Sequence, residues 1–282
     1  MTSRLQVWRL SSAGDSLESL SLLDNVGTLD QASNLLPRGV YTSLRTYHKT
    51  SIFRIANHLI RLSDSAALLG NEILINEQRV RDVLRTILHG LEGSDFRIRL
   101  TVDLEGQVGD IYIAAEPLIT PPLRDYECGV KVLARPFERE NPRAKSTRFI
   151  QQSAGDRTLL SKEINEVLLY NARNEILEGI SSNFFGILKG VVYTADLDIL
   201  PGITRSMVLE VIQALSVPLT FQPVRLDEII YLDEAFITSA SRGVLPVRQI
   251  EGTIIGPGMP GSLTISIGKS LQARIEQDLE EI

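Results

Sequence analysis

The sequence predicts an α+β protein of two domains. Strand-like runs outnumber helical ones beyond residue 128, which suits a second domain built around a barrel-like sheet. A proline-rich stretch near residue 120 sets that part off from a smaller α/β first domain. The 282 residues suffice for two hydrophobic cores.

Each element has its own pattern. GVYTSLRTY (39–47) is rich in β-formers, and 52–70 turns helical, with Ile55, Leu59, Leu62, Ala66 and Leu69 at three- and four-residue steps and Gly70 as the stop. A second helix is expected over 76–93, where Val80, Val83, Leu84, Ile87 and Leu91 form the apolar face. FRIRLTVDL and GDIYIAAEP follow as a hairpin-like pair of strands. PLITPPLRDYE (117–127) then carries three prolines in its first six residues, which disfavour helix and remove donors. The boundary is placed there, giving domains of 1–119 and 120–282. After it GVKVLARPF, EVLLYN, SNFFGILKGVVYT and EAFITSA are strands. Residues 150–164 are expected to be helical, as is RSMVLEVIQAL (205–215), with Val208, Val211, Ile212 and Leu215 inward.

Composition narrows the function classes. A net charge of −6, from 29 basic and 35 acidic residues, speaks against nucleic acid, since phosphate backbones need a basic face. Cys128 is the one cysteine and cannot pair within the chain, which points to the reducing cytoplasm. MTSRLQVWRLSSAGD lacks the apolar run of a signal peptide, and no stretch has the length of a membrane span. His48, His58 and His89 are scattered, so no metal-ligand spacing exists and no metal is expected. GPGMPG (256–261) fits a dinucleotide fingerprint by letter only. Too little chain follows for a βαβ unit, and its prolines delete the amides a pyrophosphate would use.

The chemistry concentrates between residues 145 and 205. Lys145 stands in RAKSTRF, Glu178 in EGISSNFFG, and LPGITR (200–205) leads Gly202-Ile203-Thr204 into a helix. Singly these read as a solvated lysine, a turn and an ordinary helix entry. Together they meet the demands of pyridoxal 5'-phosphate. Its aldehyde needs an amine of lowered pKa. Its ring nitrogen needs an acid, because the protonated ring draws electrons better. Its phosphate suits free amides at a helix N-terminus.

On these residues the chain resembles the fold-type IV pyridoxal-phosphate enzymes, or class IV aminotransferases: branched-chain and D-amino-acid aminotransferases and aminodeoxychorismate lyases. The likeness runs from GVYTSLRTY through FRIANHLIRLSDSA, RAKSTRF, EGISSNFFG and LPGITRSMVLEVI to DEAFITSASRGVLPV. It implies a two-domain fold with a small N-terminal domain and a larger barrel-like C-terminal one, and a homodimer. It makes Lys145 the catalytic residue that holds the cofactor and shuttles a proton. Glu178 becomes the partner of the pyridine nitrogen. Ile203 and Thr204, with Arg61 of the HLIRL helix, become the phosphate site. Ser241 stands in for a phosphate-binding threonine whose place Ala240 takes. Tyr41 and Arg99 fall at substrate-side positions.

The chain also departs from the family. Leu36-Pro37-Arg38 replaces a Gly-Asp, Thr42 replaces an acid, and Phe149 and Ile150 fill the place of a tyrosine, beside Arg148. These changes leave cofactor binding intact and the substrate open. The resemblance implies transfer of an amino group between an amino acid and a 2-oxo acid. A lyase releasing pyruvate is the alternative, and a cofactor-binding protein without turnover is the alternative of another class.

Overall fold

The computed structural model describes residues 5–14, 16–21 and 26–282. Of the segment MTSRLQVWRLSSAGD, residues 1–4 and Asp15 lie outside the described residues. The chain forms two compact units that are not contiguous in sequence. The first comprises Met1–Ile119, Ala144–Gln152 and Gln277–Ile282; the second comprises Thr120–Arg143 and Ser153–Glu276.

In chain order the first unit opens with β1 (Gln6–Leu10), β2 (Leu17–Leu20), α1 (Leu29–Ser33) and β3 (Gly39–Tyr47). It continues with β4 (Ser51–Phe53), α2 (Ile55–Leu68), α3 (Glu77–Gly90), β5 (Phe96–Asp103) and β6 (Ile111–Pro117). The chain enters the second unit with α4 (Leu123–Cys128) and β7 (Val130–Pro136), then returns for α5 (Thr147–Gln152). The second unit resumes with α6 (Ala154–Arg157), β8 (Ile164–Tyr170), β9 (Ile176–Gly179), β10 (Asn183–Leu188) and β11 (Val191–Tyr193). Next come α7 (Ile203–Ala214), β12 (Leu219–Thr220), β13 (Glu234–Ser239), β14 (Gly243–Ile250), β15 (Thr253–Ile254) and α8 (Ser262–Gln277). β16 (Leu279–Glu281) ends back in the first unit.

The first unit is a seven-stranded sheet in the order β16-β4-β3-β5-β6-β1-β2. Alternation along its strands sorts two faces. Val40, Leu44, Ile98, Leu100, Val102 and Ile113 point to α2 and α3 and form the core with Ile55, Leu59, Leu62, Leu84 and Leu88. Tyr41, Ser43, Arg99 and Thr101, in cross-strand register, share the opposite face. There α1 packs Leu29 and Ala32 on Val7 and Ala114. β4 covers only the end of β3, where Thr46 and Tyr47 pair with Ile52 and Ser51. The uncovered edge of β3 is taken by the 145–147 segment: Val40 bridges Ser146, and the Tyr41 amide donates to the Lys145 carbonyl at 2.8 Å. Thr147 Oγ1 accepts from the Gly39 amide at 3.0 Å. Gly39 has no alternative here, because a Cβ would sit 1.9 Å from the Val102 carbonyl oxygen.

The second unit is a mixed sheet whose pairings close on themselves. β9-β8-β7-β14-β13-β10 run in order, and β10 pairs again with β9 through Asn183 and Glu178. The result is a six-stranded barrel filled by Val132, Leu168, Phe184, Ile237, Leu245 and Ile250. β11 and β12 extend it from β10, and β15 from β14.

Several expectations need correction. The helix expected over 150–164 is two short ones, α5 and α6, ending at Arg157, because Ser161 turns the chain into β8. SNFFGILKGVVYT is a hairpin of two strands: Lys189 and Gly190, with φ of 50° and 76°, make a two-residue turn that matches strand twist. A contiguous division at residue 120 assigns Lys145 to the second domain. Compact packing groups it with the first, because its segment completes the edge of β3.

Candidate active site

Four of the singled-out residues, Tyr41, Arg61, Arg99 and Lys145, lie in the first unit. Lys145 is fixed by its backbone: its amide donates to Ser65 Oγ on α2 at 3.1 Å, and its carbonyl accepts from Tyr41. Its Nζ lies 4.8 Å from the centre of the Tyr41 ring. α2 carries His58, Arg61 and Ser65 at three- and four-residue steps, a polar stripe beside its apolar face. Arg61 Nη2 donates to Thr42 Oγ1 at 2.6 Å, and Thr42 Oγ1 lies 2.8 Å from His58 Nδ1. Thr42 Oγ1 therefore accepts from Arg61 and shares a second hydrogen bond with the His58 ring.

The electrostatics of this cluster favour an anion. Burial pushes His58 well below its ordinary range, and the charges of Arg61 and Lys145 push the same way. Burial also lowers the Arg61 guanidinium to about 10, only partly offset by Tyr41. Arg61 Nε is sealed from solvent with no hydrogen-bond partner. A buried cation held by a neutral hydroxyl is costly until an anion joins it.

Arg99 is placed differently. It is 3% exposed and engaged by α1. Nη1 donates to the Leu29 carbonyl at 2.9 Å and to Ser33 Oγ at 2.7 Å, and Nη2 donates to Asp30 Oδ1 at 2.8 Å. Its guanidinium carbon lies 4.8 Å from the Tyr41 ring centre.

Glu178, Ile203, Thr204 and Ser241 lie in the second unit. Glu178 is 4% exposed and ion-paired: Arg139 Nη1 donates to Oε1 at 2.6 Å, and the Leu200 amide donates to Oε2 at 3.0 Å. Asn183, its cross-strand partner, donates from Nδ2 to the Leu200 carbonyl at 2.9 Å. Residue 200 is therefore held at both polar groups by the pair that closes the barrel. Two residues on, Gly202 opens α7, whose first turn has no side-chain cap. A Cβ at Gly202 would sit 2.2 Å from Asn183 Oδ1, so the approach requires glycine. α8 shows the contrast: the Leu263 and Thr264 amides are capped by the Glu234 carboxylate at 3.2 and 2.7 Å. Ser241 is half-buried in the β13–β14 turn. Its neighbour Arg242 secures that turn through buried Glu166 at 2.7 Å, which also accepts from Ser181 and Ser182.

Sequence reasoning missed Arg139, His58 and the role of Asn183. The His58–Arg61–Ser65 spacing was a usable signal on a helix. Arg139 sits in FERENPRAK among four other charged residues, and nothing in that string singles it out.

The class IV aminotransferase family model matches residues 39–250. The chain is a class IV aminotransferase. It is 26% identical over 260 residues to a branched-chain-amino-acid aminotransferase of Pseudomonas aeruginosa, covering 82% of each chain. It is 28% identical over 261 residues to a D-alanine aminotransferase of Bacillus licheniformis, covering 84% of this chain and 87% of that one. The solved branched-chain amino acid aminotransferase of T.th. with pyridoxamine 5'-phosphate superposes with a TM-score of 0.79 at 18% identity. That superposition covers 100% of this chain and 99% of the other, and shows the fold. The fold is fold-type IV, the cofactor is pyridoxal 5'-phosphate, and the reaction moves an amino group between an amino acid and a 2-oxo acid.

The residues present fit that cofactor. Arg61 has a buried donor without a partner, α7 has an uncapped N-terminus behind a glycine that admits no Cβ, and Glu178 is a buried carboxylate.

Proposed function

We propose that Lys145 is the amine that holds pyridoxal phosphate, that Glu178 meets its ring nitrogen, and that Arg61 with Ile203 and Thr204 holds its phosphate. One observation carries the reading. Glu178 and the open end of α7 are joined into one block by the Leu200 amide and carbonyl. An acid for a ring nitrogen and bare amides for a phosphate are thereby set at a fixed spacing. When bound, the cofactor supplies an electron sink for the bonds at the substrate Cα.

The chain's own groups do the rest. Arg139 holds and aims the Glu178 carboxylate through Oε1, and that carboxylate would face the cofactor's ring nitrogen. The Ile203 and Thr204 amides, the Thr204 hydroxyl and Ser241 anchor the phosphate. Lys145 Nζ would take the proton from the substrate Cα and deliver it to C4′ of the cofactor. Its backbone is pinned at both ends, so only the side chain moves. Tyr41 supplies the apolar wall under that amine. The enzyme acts in the cytoplasm as a homodimer: the lone Cys128 agrees with a reducing compartment, and the family resemblance carries the dimer.

Borohydride reduction of the holoenzyme followed by peptide mapping should place the pyridoxyl group on Lys145; a label on Lys162 would overturn the assignment. In a single turnover with an amino acid and no acceptor, the cofactor should convert to its aminated form, and 2-oxoglutarate or pyruvate should reverse it. Pyruvate release from aminodeoxychorismate with no such conversion for any amino acid would favour the lyase.

A further inference from the structure

The face of the first sheet that carries Tyr41 also carries Arg99, and the two residues are linked to Lys145 through one ring. Lys145 Nζ and the Arg99 guanidinium carbon each lie 4.8 Å from the Tyr41 ring centre. No more than twice that distance separates the amine from the guanidinium. Arg99 is therefore within reach of a substrate whose nitrogen reacts at Lys145 and whose side chain runs along Tyr41.

An uncommitted arginine there would reward a second carboxylate on the substrate. This one is committed. Both Nη1 donors go to α1, at the Leu29 carbonyl and Ser33 Oγ. Its charge is matched by Asp30, at 2.8 Å from Nη2. The Asp30 side chain remains 33% exposed, so its negative field is felt by an arriving anion. α1 is itself well fixed. Its Leu29 amide donates to Glu116 at 2.9 Å, Thr28 caps Gln31 at 3.2 Å, and Leu29 and Ala32 pack on Val7 and Ala114. Asp30 thus arrives at Arg99 on a braced element.

We propose that Asp30 is a specificity-determining residue: by pairing with Arg99 it selects amino acids and oxo acids with uncharged side chains and disfavours those with a second carboxylate. This rests on the reading of Lys145 and Tyr41 as the substrate end of the site. Asp30 acts through Arg99 and is a positioning residue, so its effect belongs in ligand discrimination.

The test measures calorimetric dissociation constants of the holoenzyme for valerate and glutarate, five-carbon acids that differ by one terminal carboxylate. The wild type should prefer valerate. Asp30→Asn keeps the acceptor and removes the charge, and should shift the ratio toward glutarate by about tenfold, the scale of one partly screened charge near the ligand. Asp30→Glu, which keeps the charge, should leave the ratio near the wild type. The proposal is overturned if the wild type prefers glutarate, if Asp30→Asn leaves the ratio unchanged, or if both ligands weaken equally. The last result would make Asp30 a brace for α1 and nothing more. Absence of a pyridoxyl label on Lys145 would overturn the underlying site reading, and it is observed separately from the carboxylate ratio.

Discussion

Thr42 Oγ1 accepts from Arg61 and hydrogen-bonds the His58 ring, and it brings no charge of its own. A carboxylate at this position would neutralise the arginine; the hydroxyl only steers it. Arg61 therefore keeps its full charge for a ligand, at a cost seen in its lowered pKa of about 10. Arg61→Ala should weaken pyridoxal phosphate binding roughly ten- to a hundred-fold, the range of a charge-assisted contact to a dianion. Cofactor titration of the apoenzyme measures it, and an unchanged constant would make Arg61 a structural residue. His58 gives a second prediction. Its folded pKa lies below its unfolded value, so below about pH 6.5 the unfolded chain takes up a proton that the folded one refuses. Stability is then full above that pH and falls by about 1.4 kcal/mol per unit as the pH drops toward the folded value. Denaturant midpoints of the wild type should show this slope, and His58→Asn should lose it.

Two helix starts in the second unit invite comparison. Glu234 fills the N-terminus of α8, whereas α7 begins at Gly202 with no cap. Glu234→Ala should cost about 1 kcal/mol of stability, as cap removal usually does, with cofactor affinity unchanged. Gly202→Ala should reverse the pattern, because its Cβ would push on Asn183 and through it on residue 200. Cofactor affinity should then fall at least about tenfold, more than stability does. The helices α2, α3 and α7 were legible in the sequence because each buries one periodic face. α1, β12, β15 and β16 were not, since elements of two to five residues carry no periodicity. The candidate lysine, acid and phosphate turn were readable because their residue types are uncommon in combination. Arg139 and Asp30 act through partners distant in sequence, at Glu178 and Arg99, and no local pattern records that.

At the scale of the whole molecule, the chain passes between its units four times, at residues 119–120, 143–144, 152–153 and 276–277. The first unit consequently borrows strands from late in the sequence. The edge of β3 waits for Ser146, and the edge of β4 for Leu279–Glu281, which pair with Ser51–Phe53. Removing residues 277–282 should therefore lower the stability of the first unit by stripping β4 of its neighbour, which hydrogen exchange at Ser51–Phe53 would register as lost protection.

That threading sets an order on synthesis. A ribosome makes chain from the N-terminus, and a unit normally folds once its own residues have emerged. Here the helices and central strands of the first unit emerge early, but β3 stays open-edged until residues 144–152 are made and β4 until the whole second unit has been translated. During that interval the nascent chain carries unpaired backbone, the feature that chaperones bind and that templates aggregation. Slow translation should prolong that exposure. The yield of active enzyme should then fall as these edges wait longer for their partners, even where the stability of the finished fold is unchanged.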